Sequence, residues 1–320
     1  MPSTLVNNPA AGGEVADTGQ RHIRIRGLCK TYPNGTRALQ GVDLDIPLGM
    51  FGLLGPNGAG KSTLMRILAT LQQADAGSVW FGDLNVLQEP QLMRQQLGYL
   101  PQSFGVYPGV SAAQLLDHLA ILKGITNSRE RRETVAGLLQ QVDLYDNRHK
   151  AVGSFSGGMR QRFGIAQALL GSPRVIIVDE PTAGLDPAQR TRFLNLLSAV
   201  GEQAAIILST HIVEDVSELC PQMAIIAHGR LVLSGEPQRL MDALDGRVWQ
   251  ATIARDTLAS YEEHHKLIST RFYLGRIVIN VFAERRPGPE FEPVRPDLKD
   301  VYFSALAGWL PTVPGQVEAG

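Results

Sequence analysis

Apolar and polar positions repeat along the chain with periods that switch between strand-like and helix-like, and the switches mark out the elements. Ile23, Ile25 and Leu28 predict a short strand, Lys30 to Gly35 a loop or turn, and Val42, Leu44 and Ile46 a second strand. The run Phe51-Gly52-Leu53-Leu54 predicts a strand that leads, through a glycine-rich loop, into a helix carrying Leu64, Met65, Ile67 and Leu68. Gly77 to Gly82 reads as a hairpin and Leu97 to Gln102 as a strand running into a loop. Ser111-Ala112-Ala113-Gln114 has the form of a capping box, after which Leu115, Leu119 and Leu122 fall on one helix face; Arg129 to Val142 reads as a second helix. Val175 to Val178 and Ala205 to His211 are apolar runs of the kind found in strands covered on both faces. Past Gly235 the pattern changes. Val248, Ala251, Ile253, Leu274 and Ile277 to Ile279 predict a few strands, with a helix from Arg255 to His265 between them. Leu298, Val301, Tyr302, Ala305 and Leu306 share one face of a short helix starting near Asp297.

Candidate chemistry sits where these elements end. Gly55-Pro56-Asn57-Gly58-Ala59-Gly60-Lys61-Ser62-Thr63 has the spacing G-x-x-x-x-G-K-S between a strand and a helix. Its glycines let the backbone turn several N–H groups toward one anion. Lys61 adds a point charge near β and γ phosphates, Ser62 offers a hydroxyl to Mg²⁺, and the helix directs its positive end at the same place. Two adjacent acids, Asp179 and Glu180, close the buried run at 175–178, where an acid completes a Mg²⁺ shell and a neighbouring carboxylate orients or deprotonates an attacking water. Ser156-Gly157-Gly158 starts a helix whose first turn is left uncovered by its glycines: a second anion-ready helix end or an ordinary capped helix. Gln102 and His211 stand at two more strand ends, and Tyr32 lies just before the strand taken to feed the loop, as a nucleobase stack or as plain packing. Parallel sheets bind ligands at such an edge.

Composition narrows the partners. The 320 residues exceed what one core usually serves, and 44% hydrophobic residues with a formal net charge of -1 lack the positive excess of a nucleic-acid binder. The two cysteines, Cys29 and Cys220, have no metal or redox spacing and are expected to be buried small residues in a reducing compartment. No apolar run approaches the roughly 20 residues that span a bilayer, so the chain is expected to be soluble by itself, and Met1 to Gln20 reads as a disordered tail without secretory features.

Taken together and in this order, the motifs resemble the ATPase subunit of an ATP-binding-cassette transporter over about residues 22–235. Gly55 to Thr63 resembles the Walker A loop, Gln102 the Q-loop glutamine, and Phe155-Ser156-Gly157-Gly158-Met159 the family signature. Val175 to Glu180 is similar to Walker B with its catalytic glutamate, Ala183-Gly184-Leu185-Asp186 to the D-loop, His211 to the switch histidine, and Tyr32 to the aromatic that stacks on adenine. The signature departs from the commonest L-S-G-G-Q form at both ends, Phe155 and Met159, and keeps the Ser-Gly-Gly centre.

The resemblance implies an α/β fold: a P-loop NTPase cassette with a mixed sheet core, an antiparallel β subdomain and a helical insertion at about 103–170. It implies a cassette at 21–235, a small α+β accessory domain at 236–310, and tails at 1–20 and 311–320. It further implies ATP and Mg²⁺, with Lys61 on the β and γ phosphates, Ser62, Gln102 and Asp179 attending the metal, Glu180 polarising water and His211 on the γ phosphate. A second copy would complete each site through Ser156 and Gly158, with Asp186 linking the two sites. The tail Pro296 to Phe303 looks like those of cassettes serving bacterial multidrug, antibiotic or polysaccharide exporters. That reading places the protein in the cytoplasm, peripheral on the inner membrane face, held by a separate permease near Gln102 and residues 103–125. The competing classes are a cassette ATPase of translation or DNA repair and a small-molecule kinase. One motif set and no sustained heptads weigh against the first, and the signature, D-loop and switch histidine have no role in the second.

Overall fold

The computed structural model describes residues 22–102, 105, 109–181, 186–201 and 204–310. Both expected tails, part of the segment 103–108, and Ala183, Gly184 and Leu185 lie outside the described residues.

The first third of the chain forms β1 (Ile23–Thr31), β2 (Arg37–Ile46), β3 (Gly49–Leu54), α1 (Lys61–Leu68), β4 (Ala76–Phe81) and β5 (Leu84–Asn85). Next come α2 (Pro90–Gln96), β6 (Leu97–Leu100), α3 (Ala112–Leu122), α4 (Ser128–Gln141), α5 (Gly157–Ala168), β7 (Val175–Asp179) and α6 (Pro187–Gly201). After these are β8 (Ala205–Ser209), α7 (Val213–Leu219), β9 (Gln222–Ala227), β10 (Arg230–Gly235) and α8 (Pro237–Asp242). The last described elements are β11 (Val248–Ile253), α9 (Leu258–His264), β12 (Lys266–Tyr273), β13 (Arg276–Phe282), β14 (Glu292–Pro293) and α10 (Leu298–Leu306).

Three sheets result. A mixed sheet of order β10-β9-β3-β8-β7-β6 is parallel except for the β9–β10 hairpin. An antiparallel sheet has the order β2-β1-β4-β5, and a second one near the C-terminus the order β12-β13-β11-β14.

The continuous apolar runs belong to the mixed sheet because both of its faces are covered. Phe51, Leu53, Val175, Ile177 and Ile207 point to one side, into a core with Leu64, Met65, Ile67 and Leu68 of α1 and Ile25 and Val79 of the antiparallel sheet. Met50, Leu54, Ile176, Val178, Ile206 and Leu208 point to the other, against Phe163 of α5, Leu197 of α6 and Val301 of α10. Each such side chain contributes about 1.5–3 kcal/mol.

Some local expectations change. Gly77 to Phe81 lie within the single strand β4, and the chain turns at Gly82 and Asp83 into the two-residue β5. The capping box at Ser111 and Gln114 forms as the spacing predicts, but the buried face of α3 is Ala112, Leu115, Leu116 and Ala120, with Leu122 exposed. Leu274 sits in the β12–β13 turn with φ 46°, and the helix after β11 is one 3₁₀ turn followed by α9. The strand after Tyr32 is β2 of the antiparallel sheet; β3 feeds the glycine-rich loop. Cys220 is buried, but Cys29 is only half-buried.

Candidate nucleotide site

Strand register sets four chain ends side by side. Leu53 of β3 pairs with Ser209 of β8, Ser209 with Asp179 of β7, and Val178 with Leu100 of β6. The next residues along each strand are therefore the Gly55–Thr63 loop, the segment carrying His211, Glu180, and the segment carrying Gln102.

The loop between β3 and α1 is held from outside. The Gly229 N–H donates to the Ala59 carbonyl at 2.9 Å, and Gly229 with His228 forms the two-residue turn of the β9–β10 hairpin, both at positive φ. Gly60 caps α1 at φ 106°, and a Cβ there would stand 2.4 Å from the Ala38 carbonyl. No side chain caps α1, so its first-turn N–H groups stay available to an anion. Pro56, Asn57, Gly58 and Ser62 are exposed, whereas Gly55, Ala59, Lys61 and Thr63 are buried. Lys61 Nζ folds back to donate to the Gly55 carbonyl at 2.6 Å and the Pro56 carbonyl at 3.1 Å. Burial lowers its pKa, opposed by the nearby charges of Glu180 and Asp179. A buried ammonium on neutral carbonyls gains from phosphate oxygens in their place.

Tyr32 lies on the other flank of α1. Its hydroxyl is 3.0 Å from Thr63 Oγ1 and donates to Gln72 Oε1 at 3.2 Å. The Thr63 hydrogen bond is the main cause of a lowered phenol pKa. The ring is thereby tied to the first turn of α1, with its tip rather than its face engaged.

At the end of β7, Asp179 is buried, and desolvation raises its pKa; the Ser209 hydroxyl pulls the other way. Such a carboxylate gains from a cation. The Asp179 carboxylate, the exposed Ser62 hydroxyl and the Gln102 amide oxygen are hard-oxygen donors of the kind that suit Mg²⁺, an ion usually bound through one or two carboxylates plus phosphates and water. Glu180 has φ 48°, a sparsely populated conformation for a non-glycine residue, fixed by its N–H donating to the Ser209 carbonyl at 2.9 Å. The strained backbone turns its carboxylate into a short chain of groups. Gln102 Nε2 donates to Glu180 Oε2 at 2.9 Å, and His211 Nδ1 lies 3.5 Å from Glu180 Oε1.

Ser156 caps α5, its Oγ accepting from the Met159 N–H at 3.3 Å. Ser156 and Gly157 are exposed, and a Cβ on Gly157 would meet open space. Gly158 is buried against Gln189 of α6. The residues flanking this motif, Phe155 and Met159, pack into the core, Phe155 edge-on to Phe163 at 6.2 Å. Gln161 on the same helix donates to the Pro181 carbonyl, tying α5 to the segment after Glu180. Asp186 caps α6, accepting from the Gln189 N–H at 2.8 Å.

The structure thus brings together Lys61, Asp179, Glu180, Gln102 and His211, joins Tyr32 to Thr63, and leaves the Ser156–Gly157 turn open on the surface. Sequence reasoning passed over Gly229 and Gln72, which support the loop and Tyr32. The apolar run Met223 to Ala227 before His228-Gly229 was a usable signal for the first; nothing local marks the second.

Comparison with known proteins identifies the family. The profile of the family described as "ABC transporter" matches residues 39–183, from β2 to the segment after Glu180. The daunorubicin/doxorubicin resistance ATP-binding protein DrrA of Streptomyces peucetius is 36% identical over 230 residues, 71% of this chain and 69% of that protein. The uncharacterized ABC transporter ATP-binding protein YxlF of Bacillus subtilis is 33% identical over 252 residues, 78% of this chain and 83% of that protein. Among solved structures, the dimeric structure of MJ0796, a bacterial ABC transporter cassette, superposes with a TM-score of 0.62 at 25% identity over 67% of this chain and 98% of its own. The chain belongs to the ABC transporter family, as an ATP-binding cassette that hydrolyses ATP.

Proposed function

We propose that the Gln102–Glu180–His211 chain, set beside Lys61 and Asp179 on one sheet edge, is the hydrolytic centre of a transporter's energy-supplying subunit. Its geometry is the observation that carries the reading. Lys61 exchanges the Gly55 and Pro56 carbonyls for β and γ phosphate oxygens, and the backbone of residues 55–63 wraps the same phosphates. Tyr32, anchored through Thr63, stacks its ring on the adenine. Glu180 holds and polarises the attacking water, and His211 contacts the γ phosphate. Ser62, Asp179 and Gln102 would hold Mg²⁺, which would supply charge stabilisation to the phosphates. Because phosphoryl transfer depends mainly on positioning and charge stabilisation, small displacements of Glu180 or His211 switch it on or off.

The open Ser156–Gly158 turn supports completion of the site by a second copy, whose γ phosphate it would meet, with Asp186 linking the two sites; the dimeric MJ0796 cassette supports the same arrangement. We take about 21–235 as the cassette and 236–310 as an accessory unit. Among the described residues no helix is long and apolar enough to cross a membrane. A transport role therefore calls for a separate permease, docked near residues 102–125, that holds the cassette at the cytoplasmic membrane face. The resistance function in the name of DrrA supports export. The test is in-cell crosslinking of the full chain followed by purification from membranes. Recovery of a polytopic membrane protein is expected; recovery of ribosomes or DNA in its place sinks the transport reading.

A further inference from the structure

One buried ion pair has no place in the chemistry just described. Asp215 of α7 is fully buried, and Arg190 of α6 reaches it twice, Nε at 2.7 Å and Nη2 at 2.5 Å from Oδ1. The other carboxylate oxygen, Oδ2, accepts from Thr210 Oγ1 at 3.4 Å. Thr210 Oγ1 in turn accepts from the Ile212 N–H at 3.0 Å, and the Asp215 N–H donates to the Ile212 carbonyl at 3.2 Å. Thr210 and Ile212 are the two chain neighbours of His211. The His211 side chain itself is 57% exposed and meets Glu180 at its edge. More than half of that ring is exposed, so its placement leans on the backbone on either side, and both neighbours touch Asp215: Thr210 through its hydroxyl, Ile212 through the Asp215 N–H.

The pair also has a second end. The Arg190 N–H donates to the Asp186 carbonyl at 2.9 Å, so Arg190 stands one turn after the cap of α6. The same α6 presents Gln189 to Gly158. Next to Asp215 on α7, Glu214 pairs with Lys299 of α10, which braces the helix from the C-terminal part of the chain. Buried ion pairs seldom add net stability over apolar packing, so a pair in this position calls for a role other than stability.

We infer that Arg190 and Asp215 are positioning residues for hydrolysis: the pair locks the segment carrying His211 to α6, so the placement of Asp186 and of His211 against Glu180 are set together. This rests on the proposed role of His211. Movement of Asp186 when two copies meet is thereby transmitted through one turn of α6 to the group beside the attacking water.

The experiment compares Asp215→Asn, Arg190→Gln and Arg190→Lys in the full chain with His211→Ala, measuring kcat and KM for ATP, nucleotide binding and melting temperature. Asp215→Asn and Arg190→Gln are expected to lower kcat about ten- to a hundredfold, the scale of a roughly 1 Å misplacement, with KM and nucleotide binding little changed. Arg190→Lys, which keeps the charge and one donor, is expected to recover part of kcat. A purely structural pair would lower the melting temperature and the active fraction but leave the kcat of folded, nucleotide-bound protein intact. Normal kcat in both folded variants, with His211→Ala inactive, overturns this inference alone. Normal turnover in His211→Ala overturns the site reading and the inference with it. If Asp215→Asn fails to fold, the partly exposed Arg190 carries the test through its two variants.

Discussion

Glu180 Oε1 lies 3.5 Å from His211 Nδ1, while Oε2 of the same carboxylate accepts from Gln102 at 2.9 Å. A carboxylate with a neighbour at each oxygen keeps its orientation. Glu180→Gln keeps the shape and removes the basicity, so it is expected to retain ATP binding, lower turnover by about 10²–10⁴-fold and prolong the closed ATP-bound dimer. Steady-state turnover together with sizing in ATP checks this. Normal turnover by the variant removes Glu180 from its assigned role.

The runs that ended in chemistry were legible because β3, β7 and β8 are buried on both faces, and such strands are written as unbroken apolar stretches. Their motifs follow directly on those runs, so placing a motif at a strand end needed no tertiary knowledge. Other parts were not legible. α7 has seven residues, and its buried positions are Val213, Asp215 and Val216, too few apolar residues to show a helical period. The β9–β10 hairpin turns on His228-Gly229, a pair outside the usual Asn-Gly and Asp-Gly signals although it adopts the same positive φ angles. Leu115, Leu119 and Leu122 share one face of α3, but Leu122 is exposed and the buried positions include Ala112, Leu116 and Ala120, which the leucine spacing did not mark. The links from Tyr32 to Thr63 and from Arg190 to Asp215 span 31 and 25 residues, and nothing local announces either partner.

In the proposed two-chain site Ser156 and Lys61 belong to different halves. Lys61 lies within the loop of one chain, buried and bonded to Gly55 and Pro56, so Lys61→Ala is expected to abolish turnover and weaken nucleotide binding by the monomer. Ser156 is exposed at the open end of α5, where an arginine finds room without disturbing the loop. Ser156→Arg is expected to abolish turnover and leave monomer ATP binding largely intact. Equilibrium binding of a fluorescent ATP analogue to dilute protein distinguishes the two. Loss of monomer binding in Ser156→Arg argues against a two-chain site.

Asp179 is a place where function and stability pull apart. Burial raises its pKa above that of the unfolded chain, so its contribution to stability is greatest at low pH and is lost as pH rises through the folded pKa. Above the folded pKa the ionised group is therefore a cost that a bound cation offsets. Asp179→Asn, measured with chelator and without nucleotide at pH 7.5, is expected to raise the melting temperature by about 1–2 °C, the equivalent of roughly 1 kcal/mol for 320 residues. Adding Mg²⁺ and ATP is expected to stabilise the native sequence much more than the variant. A lower melting temperature in the metal-free variant contradicts the desolvation account.

The cysteines give a check on the core that does not depend on activity. Cys220 caps the end of α7 at 4% exposure, and burial disfavours its thiolate, pushing the thiol pKa up to about 12. At pH 8 only about one thiol in ten thousand is then ionised, and the thiolate is the reactive form. Cys29 on β1 is half-buried, its sulfur accepting from the Gly41 N–H at 3.2 Å, and it remains within reach of a reagent. Titration of the native protein with a coloured disulfide reagent at pH 8 is expected to show one reacting thiol per chain, and two after unfolding in denaturant. Asp215→Asn loosens the segment that Cys220 follows, so in that variant the second thiol is expected to react before global unfolding. Two fast thiols in the native sequence contradict the closed packing of α7 against the central sheet.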